Sequence, residues 1–393
     1  MIINDKRALA YVTQVDEIKP IEGADRIEHC RVGGWWCIIT KEYDLKVGDK
    51  VVYFEIDSKC PDDDERFKFL EPRKFKIKSI KMRGVYSQGL VMPVSTFEKE
   101  LGADPELMID CTELLNIRYS VEEDNTRKSN NAADMAFKTM CSRHKKFFQN
   151  KLIKKFMKYK WFRRLMFMLL GKKNDKPRDF PSFVKKTYEE RIENMPWVCG
   201  NGKVYVASEK LDGTSSTYAL KRKNKNRINP TYEFYVCSRN VRQKDETQKC
   251  YHDHNIYWDM AFKYHIEDVL KSYMETHPEC EYVVLQGESV GSVQGNPLKL
   301  AEDDFYAFNL IDDVRGRYGS YEAREWLGNY GVKFVPLLGT VVLPDSMEEL
   351  KTLADGKSVV NPKVLREGIV YRSVDGVESF KNVSREYLLK KGE

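Results

Sequence analysis

The chain has 393 residues, of which 41% are hydrophobic and 32% are charged. This composition is that of an ordinary globular protein, and the length is sufficient for two domains, each with its own core. The sequence contains no apolar run long enough for a membrane span, no apolar core of a signal peptide and, among its nine cysteines, no Cys-x-x-Cys pair. We therefore expect a soluble, intracellular, cytoplasmic protein with reduced thiols that does not enter a membrane.

The positive charge of the chain is concentrated in one segment. The net charge is +6, but residues 141–178 contain fourteen Lys or Arg and a single acid, Asp175, so the rest of the chain is net acidic. A local basic segment of this kind favours a polyanionic partner such as nucleic acid.

Residues 1–117 contain short runs of β-forming residues separated by turn signals. The five predicted strands cover residues 7–14, 27–31, 35–40, 50–56 and 89–93. Five short strands are typical of an OB-like barrel, which binds nucleic acid on its open face. Trp35 and Trp36 offer a stacking surface, but at least one of them is expected in the core because adjacent strand residues point to opposite faces.

Residues 118–178 are predicted to be a linker that contains a basic amphipathic helix. Apolar residues recur every three or four positions over residues 144–171, and lysines fall largely between them. We favour nucleic-acid contact for this helix over a merely solvated face, a membrane surface or a protein partner.

The sequence Lys210-x-Asp212-Gly213 follows a short run of β-forming residues at 204–207, so Lys210 is expected at a strand end. A lysine that attacks phosphorus must first lose its proton, and its ordinary pKa is about 10.4. Burial, a second cation or a bound metal lowers that pKa. Asp212 can hold a metal-bound water, and Gly213 lets the backbone approach a phosphate. By itself, the tetrapeptide is equally consistent with a surface turn.

Four further motifs follow the Lys210 motif in a fixed order. Glu288 ends an apolar strand, residues 305–310 form an aromatic strand, Glu367 begins a third strand, and Lys381 lies close to the end of the chain. A lysine, two carboxylates at strand ends, an aromatic strand and a late lysine are the parts needed to form and hold a lysyl-nucleotide.

In this order the motifs resemble those of the covalent nucleotidyltransferases, which include ATP-dependent DNA and RNA ligases and mRNA capping enzymes. The closest resemblance is to nick-sealing RNA ligases that carry an OB-like domain in front of the catalytic domain. It extends to residues 83–90, 180–183 and 190–192. The resemblance implies an α+β protein with an N-terminal OB-like β-barrel. A C-terminal nucleotidyltransferase domain of the ATP-grasp-like ligase type follows at 179–393, with antiparallel sheets flanking the nucleotide cleft.

The resemblance also implies roles for five catalytic residues. Lys210 attacks the α-phosphate of ATP, and Lys381 clamps that phosphate and helps to lower the pKa of Lys210. Glu288 and Glu367 hold the ribose or the metal, which is Mg²⁺ or Mn²⁺. Asp212 holds the water shell of the metal.

Further residues are implied in nucleotide binding. Phe308 is the first candidate for the ring that stacks on adenine, and Phe305 is the second. Arg239 contacts the nucleotide, Glu209 reads the base through its backbone, and Gly213 lies close to the phosphate.

The arrangement of the domains favours an RNA ligase over its relatives. Only twelve residues follow Lys381, too few for the OB domain that DNA ligases and capping enzymes place there. Position 383 is Val383, where relatives carry a second lysine, so a second phosphate contact is in doubt. The resemblance implies a monomeric RNA-repair enzyme that joins 3′-hydroxyl and 5′-phosphate ends at nicks in duplex RNA or RNA/DNA hybrid. A capping-type guanylyltransferase and a non-catalytic RNA-binding protein with a vestigial nucleotide fold are the alternatives.

Overall fold

The computed structural model describes residues 1–3, 6–119, 178–224, 230–243, 254–374, 376 and 378–391. The chain forms two compact units, one made of residues 1–56, 78–110 and 177–393 and the other of residues 57–77 and 111–176. The domain boundaries predicted at residues 117 and 178 stay predictions, and the predicted basic helix lies outside the described residues. No helix in the described ranges is long and apolar enough to cross a membrane.

The N-terminal part of the first unit is built from short antiparallel strands. One three-stranded sheet contains Ala10–Gln14, Lys50–Phe54 and Leu90–Pro93, and another contains Glu17–Pro20, Ile27–Val32 and Trp35–Thr40. There are also two isolated strand pairs: Ile2–Ile3 with Lys6–Arg7, and Ile80–Met82 with Val85–Ser87. This part of the unit also contains the 3₁₀ helices Lys41–Tyr43 and Val94–Phe97 and the short helix Glu98–Leu101. All five predicted strands are present. Trp35 is buried and Trp36 is half-buried, as the alternation of strand faces requires.

The second unit, where it is described, contains little regular structure. Ser58–Lys59 pairs antiparallel with Arg118–Tyr119, and Glu65–Arg73 forms a 3₁₀ helix. The Asp64 carboxylate accepts a hydrogen bond from the backbone N–H of Arg66 at 2.9 Å and so caps the start of that helix.

A seven-stranded antiparallel sheet, the large sheet, forms half of the C-terminal part of the first unit. Its strands in spatial order are Arg178–Asp179, Val241–Arg242, Tyr232–Ser238, Thr214–Arg222, Tyr282–Val290, Asp304–Asp312 and Gly316–Arg317. Helices Ile256–Lys263, Ile266–Thr276 and Ser320–Gly328 pack their apolar faces on it. Ile256–Lys263 and Ile266–Thr276 are separate helices, because His265 between them has a left-handed backbone with φ 47°.

A five-stranded sheet, the small sheet, forms the other half. Its spatial order is Glu190–Arg191, Ser379–Val383, Gly368–Ser373, Val204–Lys210 and Leu337–Val342; only the first pair is parallel. The same half of the domain contains two helices, Met347–Leu353 and Arg385–Lys391, and two 3₁₀ helices, Ile192–Asn194 and Pro196–Val198. The chain passes from the small sheet to the large sheet through the three residues between Lys210 and Thr214. The predicted antiparallel sheets are therefore confirmed, with the Lys210 motif at the point where they join.

The N-terminal strands are bonded directly to the 3₁₀ helix Ile192–Asn194. The buried indole N–H of Trp35 donates to Asn194 Oδ1 at 2.7 Å, and Asn194 Nδ2 donates to Glu55 at 3.2 Å. The N–H of Gly34 donates to the carbonyl of Glu193 at 3.0 Å. A Cβ at position 34 would lie 2.5 Å from that oxygen, so only glycine permits this approach.

Candidate active site

A cavity of about 260 Å³ lies where the two sheets join. The sequence-predicted residues that line it are Glu209, Lys210, Gly213, Arg239, Glu288, Phe308 and Lys381. These residues come from five separated segments of the chain, and the two sheets bring them to one place.

Lys210 is the last residue of its strand, and its amine is paired with a carboxylate. Its Nζ donates to Glu367 Oε2 at 2.7 Å, and the two side chains are 27% and 17% exposed. Burial favours the neutral amine, but the negative charges of Glu367 and Glu288 raise the pKa of Lys210 overall. The expected lowering of this pKa is therefore wrong, because the nearest charges are carboxylates and not cations.

Glu288 and Glu367 form an acidic pair beside the Lys210 amine. Burial raises the pKa of both carboxyls, and the pKa of Glu288 rises to about 8. The positive charge of Lys210 lowers the two pKa values, whereas the negative charge of Asp212 raises them. Burial therefore disfavours the charged form of both groups, and a divalent cation bound beside them would favour the carboxylates.

Asp212 is turned towards the C-terminal helix. Its Oδ2 accepts a hydrogen bond from Lys391 Nζ at 2.8 Å and another from the Tyr387 hydroxyl. Among the described residues, no three His, Cys, Asp or Glu side chains converge as metal ligands. The predicted triad of Asp212, Glu288 and Glu367 is thus not assembled as one set of ligands. The two glutamates alone still suit Mg²⁺, because this ion usually binds one or two protein carboxylates and completes its coordination shell with phosphates and water.

Gly213 is required by a close approach of two strands. A Cβ at this position would lie 2.3 Å from the carbonyl oxygen of Ser289 and 3.1 Å from the Glu288 side chain. The absence of a side chain therefore lets the Lys210 motif lie against the strand that carries Glu288. Gly213 also lines the cavity.

The aromatic strand places its two candidate rings on opposite faces. Phe308 lines the cavity and is half-buried. Phe305 is completely buried in the core, where its ring packs edge-on against Tyr218 at 5.3 Å between centroids. Phe305 is therefore wrong as a candidate for base stacking: it lies three residues from Phe308, and odd spacings along a strand reverse the face.

Lys381 reaches the same cavity from Ser379–Val383, which is separated from the strand of Lys210 by Gly368–Ser373. Its burial, and then the positive charges of Arg191 and Lys210, lower the pKa of Lys381 to about 7. Its Nζ lies 5.4 Å from the centroid of the Tyr188 ring. Val383, two residues later, is buried and apolar.

Glu209 and Arg239 occupy different surroundings at the cavity wall. Glu209 is buried, and its Oε2 accepts a hydrogen bond from the backbone N–H of Val359 at 2.8 Å. Its side chain therefore fixes a neighbouring loop. Arg239 is exposed in the turn after Tyr232–Ser238 and lowers the pKa of Glu288, a smaller effect than the rise caused by burial.

Comparison with known proteins identifies the class of the chain. Residues 203–390 match the family model described as RNA ligase, and residues 9–94 match an OB-fold domain. The C-terminal part of the chain, residues 203–390, belongs to the RNA ligase family. The second match confirms the OB fold predicted for the N-terminal strands. No curated protein sequence matches the chain.

Solved structures of an RNA ligase from Naegleria gruberi resemble this ligase over almost its whole length. A glutamate-to-alanine mutant with ATP and Mn is 27% identical with a TM-score of 0.73, covering 98% of this chain and 100% of that one. The same protein with PPi is 28% identical with a TM-score of 0.72, covering 99% and 100%. A lysine-to-methionine mutant with AMP and Mn is 28% identical with a TM-score of 0.71, covering 98% and 99%.

The ligase has cavity residues that the sequence analysis missed, above all Arg372. This arginine is buried, donates to the carbonyl of Phe308 at 3.0 Å and to Glu189 at 3.2 Å, and lies 5.7 Å from the Phe308 ring centroid. Val370 and Arg372 both line the cavity. Alternate residues of a strand point to the same face, so Gly368, Val370 and Arg372 share one face of their strand. This pattern in the sequence would have identified Arg372 as a neighbour of the site.

Proposed function

We propose that this RNA ligase uses ATP and a divalent cation to join 3′-hydroxyl and 5′-phosphate ends of RNA at nicks in a duplex. The observation that supports it best is the convergence of Lys210, Glu288, Glu367 and Lys381 on one site beside Phe308. The three steps are formation of a lysyl-AMP, transfer of the AMP to the RNA 5′-phosphate, and attack of the 3′-hydroxyl with loss of AMP.

Lys210 is the nucleophile of the first step. Its neutral amine forms a bond to the α-phosphorus while the bond from phosphorus to the bridging oxygen breaks, and pyrophosphate leaves with that electron pair. Glu367 holds the amine at 2.7 Å and accepts a hydrogen bond from it, so the carboxylate orients the lysine and lies within reach of the proton that the amine must lose. Lys381 supplies positive charge opposite the developing charge on the phosphate oxygens.

Glu288 and Glu367 are the residues that would hold the cation, Mg²⁺ or Mn²⁺. When bound, it would neutralise phosphate charge and the two carboxylates that raise the pKa of Lys210. Asp212 is a positioning residue next to this pair, because Lys391 and Tyr387 fix its carboxylate.

The nucleotide is recognised by further residues of the cavity wall. Phe308 presents its ring for stacking on adenine, and Arg372 holds the backbone of that residue. Arg239 contacts the phosphates, while Glu209 and Gly213 shape the wall through their backbone.

Covalent labelling tests the proposed nucleotide. The protein is incubated with radiolabelled ATP or GTP and magnesium, then separated on a denaturing gel. We expect label from ATP only, and label from GTP would indicate a guanylyltransferase instead. Sealing of nicked duplexes with RNA or DNA on each side of the nick then measures the substrate preference.

The pKa of Lys381 predicts a pH dependence of ATP binding. A lysine is charged below its pKa, so the cation is present at pH 6 and largely lost at pH 8. Binding an anion above pH 7 then requires proton uptake, and the Kd is expected to weaken by up to about tenfold per pH unit. Calorimetry with an α,β-methylene analogue of ATP, which cannot react, measures this effect. Lys381→Arg stays charged and should remove the slope between pH 6 and pH 7, below the pKa of about 8 of the Glu288 carboxyl; an equal slope in this variant over that range would show that another group titrates.

A further inference from the structure

A second cavity, of about 300 Å³, lies between the loop at residues 294–299 and the C-terminal helix Arg385–Lys391. We call it the lysine cavity, because Lys299, Lys390 and Lys391 line it and none of the described residues in its wall is acidic. The polar residues Gln294, Asn296 and Tyr387 form the remainder of the wall together with glycine and apolar residues. Concentrated positive charge in a concave surface favours an oligoanion.

The loop that carries Lys299 is held in an unusual conformation. Gln294, Asn296 and Lys299 all have positive φ, between 51° and 55°. Asn296 closes the loop by bonding both the N–H and the carbonyl of Leu300, at 2.9 and 2.8 Å. Such backbone is sparsely populated and persists only where the surroundings enforce it, so the loop presents Lys299 from a fixed position.

The lysine cavity adjoins the candidate active site. Gln294 lines both cavities. Lys391 and Tyr387, which line the lysine cavity, also bind the carboxylate of Asp212, two residues after the nucleophile. A chain of phosphates that passes out of the active site on this side therefore meets the lysines.

We propose that the lysine cavity binds phosphodiester groups of the RNA strand next to its reacting 5′ end, with Lys299 and Lys390 as the phosphate contacts. This inference rests on the proposed function. Phosphodiester and pyrophosphate share the chemistry that lysines recognise, but a strand must continue beyond the active site whereas pyrophosphate is lost in the first step. Lysine contacts of this kind bind phosphates without regard to sequence.

The double variant Lys299→Gln/Lys390→Gln tests the proposal, with Lys223→Glu as the control. Lys223 is exposed just beyond the far end of Thr214–Arg222, and its substitution changes the net charge by the same two units. Three measurements are made on each full-length protein: lysyl-AMP formation from ATP, binding of a nicked RNA duplex at several salt concentrations, and sealing of a duplex whose 5′ end is already adenylylated.

We expect the double variant to form lysyl-AMP at the wild-type rate, which also shows that it is folded. Its affinity for RNA should fall about tenfold or more at moderate salt, and sealing of the adenylylated duplex should fall with it. The slope of the logarithm of the binding constant against the logarithm of the salt concentration should become shallower by about one to two. The control should match the wild type. Unchanged RNA binding in the double variant would overturn the proposal, as would a loss confined to lysyl-AMP formation, which would assign the cavity to pyrophosphate. If the wild type forms no lysyl-AMP, the proposed function fails, whereas the RNA-binding measurement still tests the cavity.

Discussion

Lys210→Ala is expected to abolish labelling by ATP and to reduce sealing of nicked RNA by about four orders of magnitude or more. The reason is that, among the described residues that line the cavity, Lys381 is the only other lysine, and it approaches from a different strand and lies against the Tyr188 ring. Rapid-quench sealing assays and the denaturing gel measure the two effects.

Two variants separate the chemical role of Lys210 from its charge. Lys210→Arg keeps the positive charge opposite Glu367 but is too basic to act as a nucleophile, so it should also fail to label. Both variants should still seal a duplex that carries an adenylylated 5′ end, because that step needs no new lysyl-AMP. Label on either variant would assign the nucleophile to another residue.

The folded state should tolerate the loss of Lys210. Glu288 and Glu367 already have raised pKa values through burial, and removing the nearby ammonium raises them further. The Glu288 carboxyl, whose pKa is already about 8, is then largely protonated at neutral pH, and the further rise in the pKa of Glu367 favours its neutral form over an unpaired charge. Loss of labelling in these variants therefore reports chemistry, which circular dichroism can confirm.

The strands and the order of the motifs were predictable from the sequence because both depend on local patterns. Trp35 and Trp36 differ in burial through the alternation of strand faces, and Lys210 and Glu288 lie near strand ends as expected. The same alternation would have separated Phe305 from Phe308 and identified Arg372.

Features that depend on contacts between distant segments were not predictable. The raised pKa of Lys210 follows from two carboxylates that lie 78 and 157 residues away in sequence. The partners of Asp212, Tyr387 and Lys391, belong to the C-terminal helix, and no local pattern links that helix to the Lys210 motif. Electrostatic effects depend on three-dimensional distance and burial, so they emerge only from the fold.

A buried ion pair predicts the largest effect on stability. Lys351 donates to Glu193, and the two side chains are only 3% and 1% exposed. Burial tends to raise the pKa of Glu193, but the charges of Lys351 and Arg191 lower it overall. Lys351 also donates to the carbonyl of Val383 at 3.1 Å. The pair therefore joins three elements: the helix Met347–Leu353, the strand Ser379–Val383 and the 3₁₀ helix Ile192–Asn194, whose Glu193 carbonyl accepts a hydrogen bond from Gly34.

Lys351→Met is expected to lower the free energy of unfolding by about 3–5 kcal/mol at pH 7, because it leaves the Glu193 carboxylate buried without its partner. The double variant Glu193→Gln/Lys351→Met removes both charges and should recover much of this loss. Lys271→Met, at an exposed helical ion pair with Glu267, is the control and should change stability by about 0.5 kcal/mol or less. Urea unfolding of the three variants measures these differences.

The pH dependence provides an independent check on the same pair. In the wild type the lowered pKa of Glu193 contributes stability above its ordinary pKa, and that contribution is lost as the pH falls through the folded-state value. In Lys351→Met the pKa of Glu193 should be raised instead, so the carboxyl takes up a proton and the deficit relative to the wild type should shrink towards pH 4. A deficit that stays constant from pH 7 to pH 4, or an equal loss in the single and double variants, would show that packing of the lysine stem and not its charge stabilises this junction.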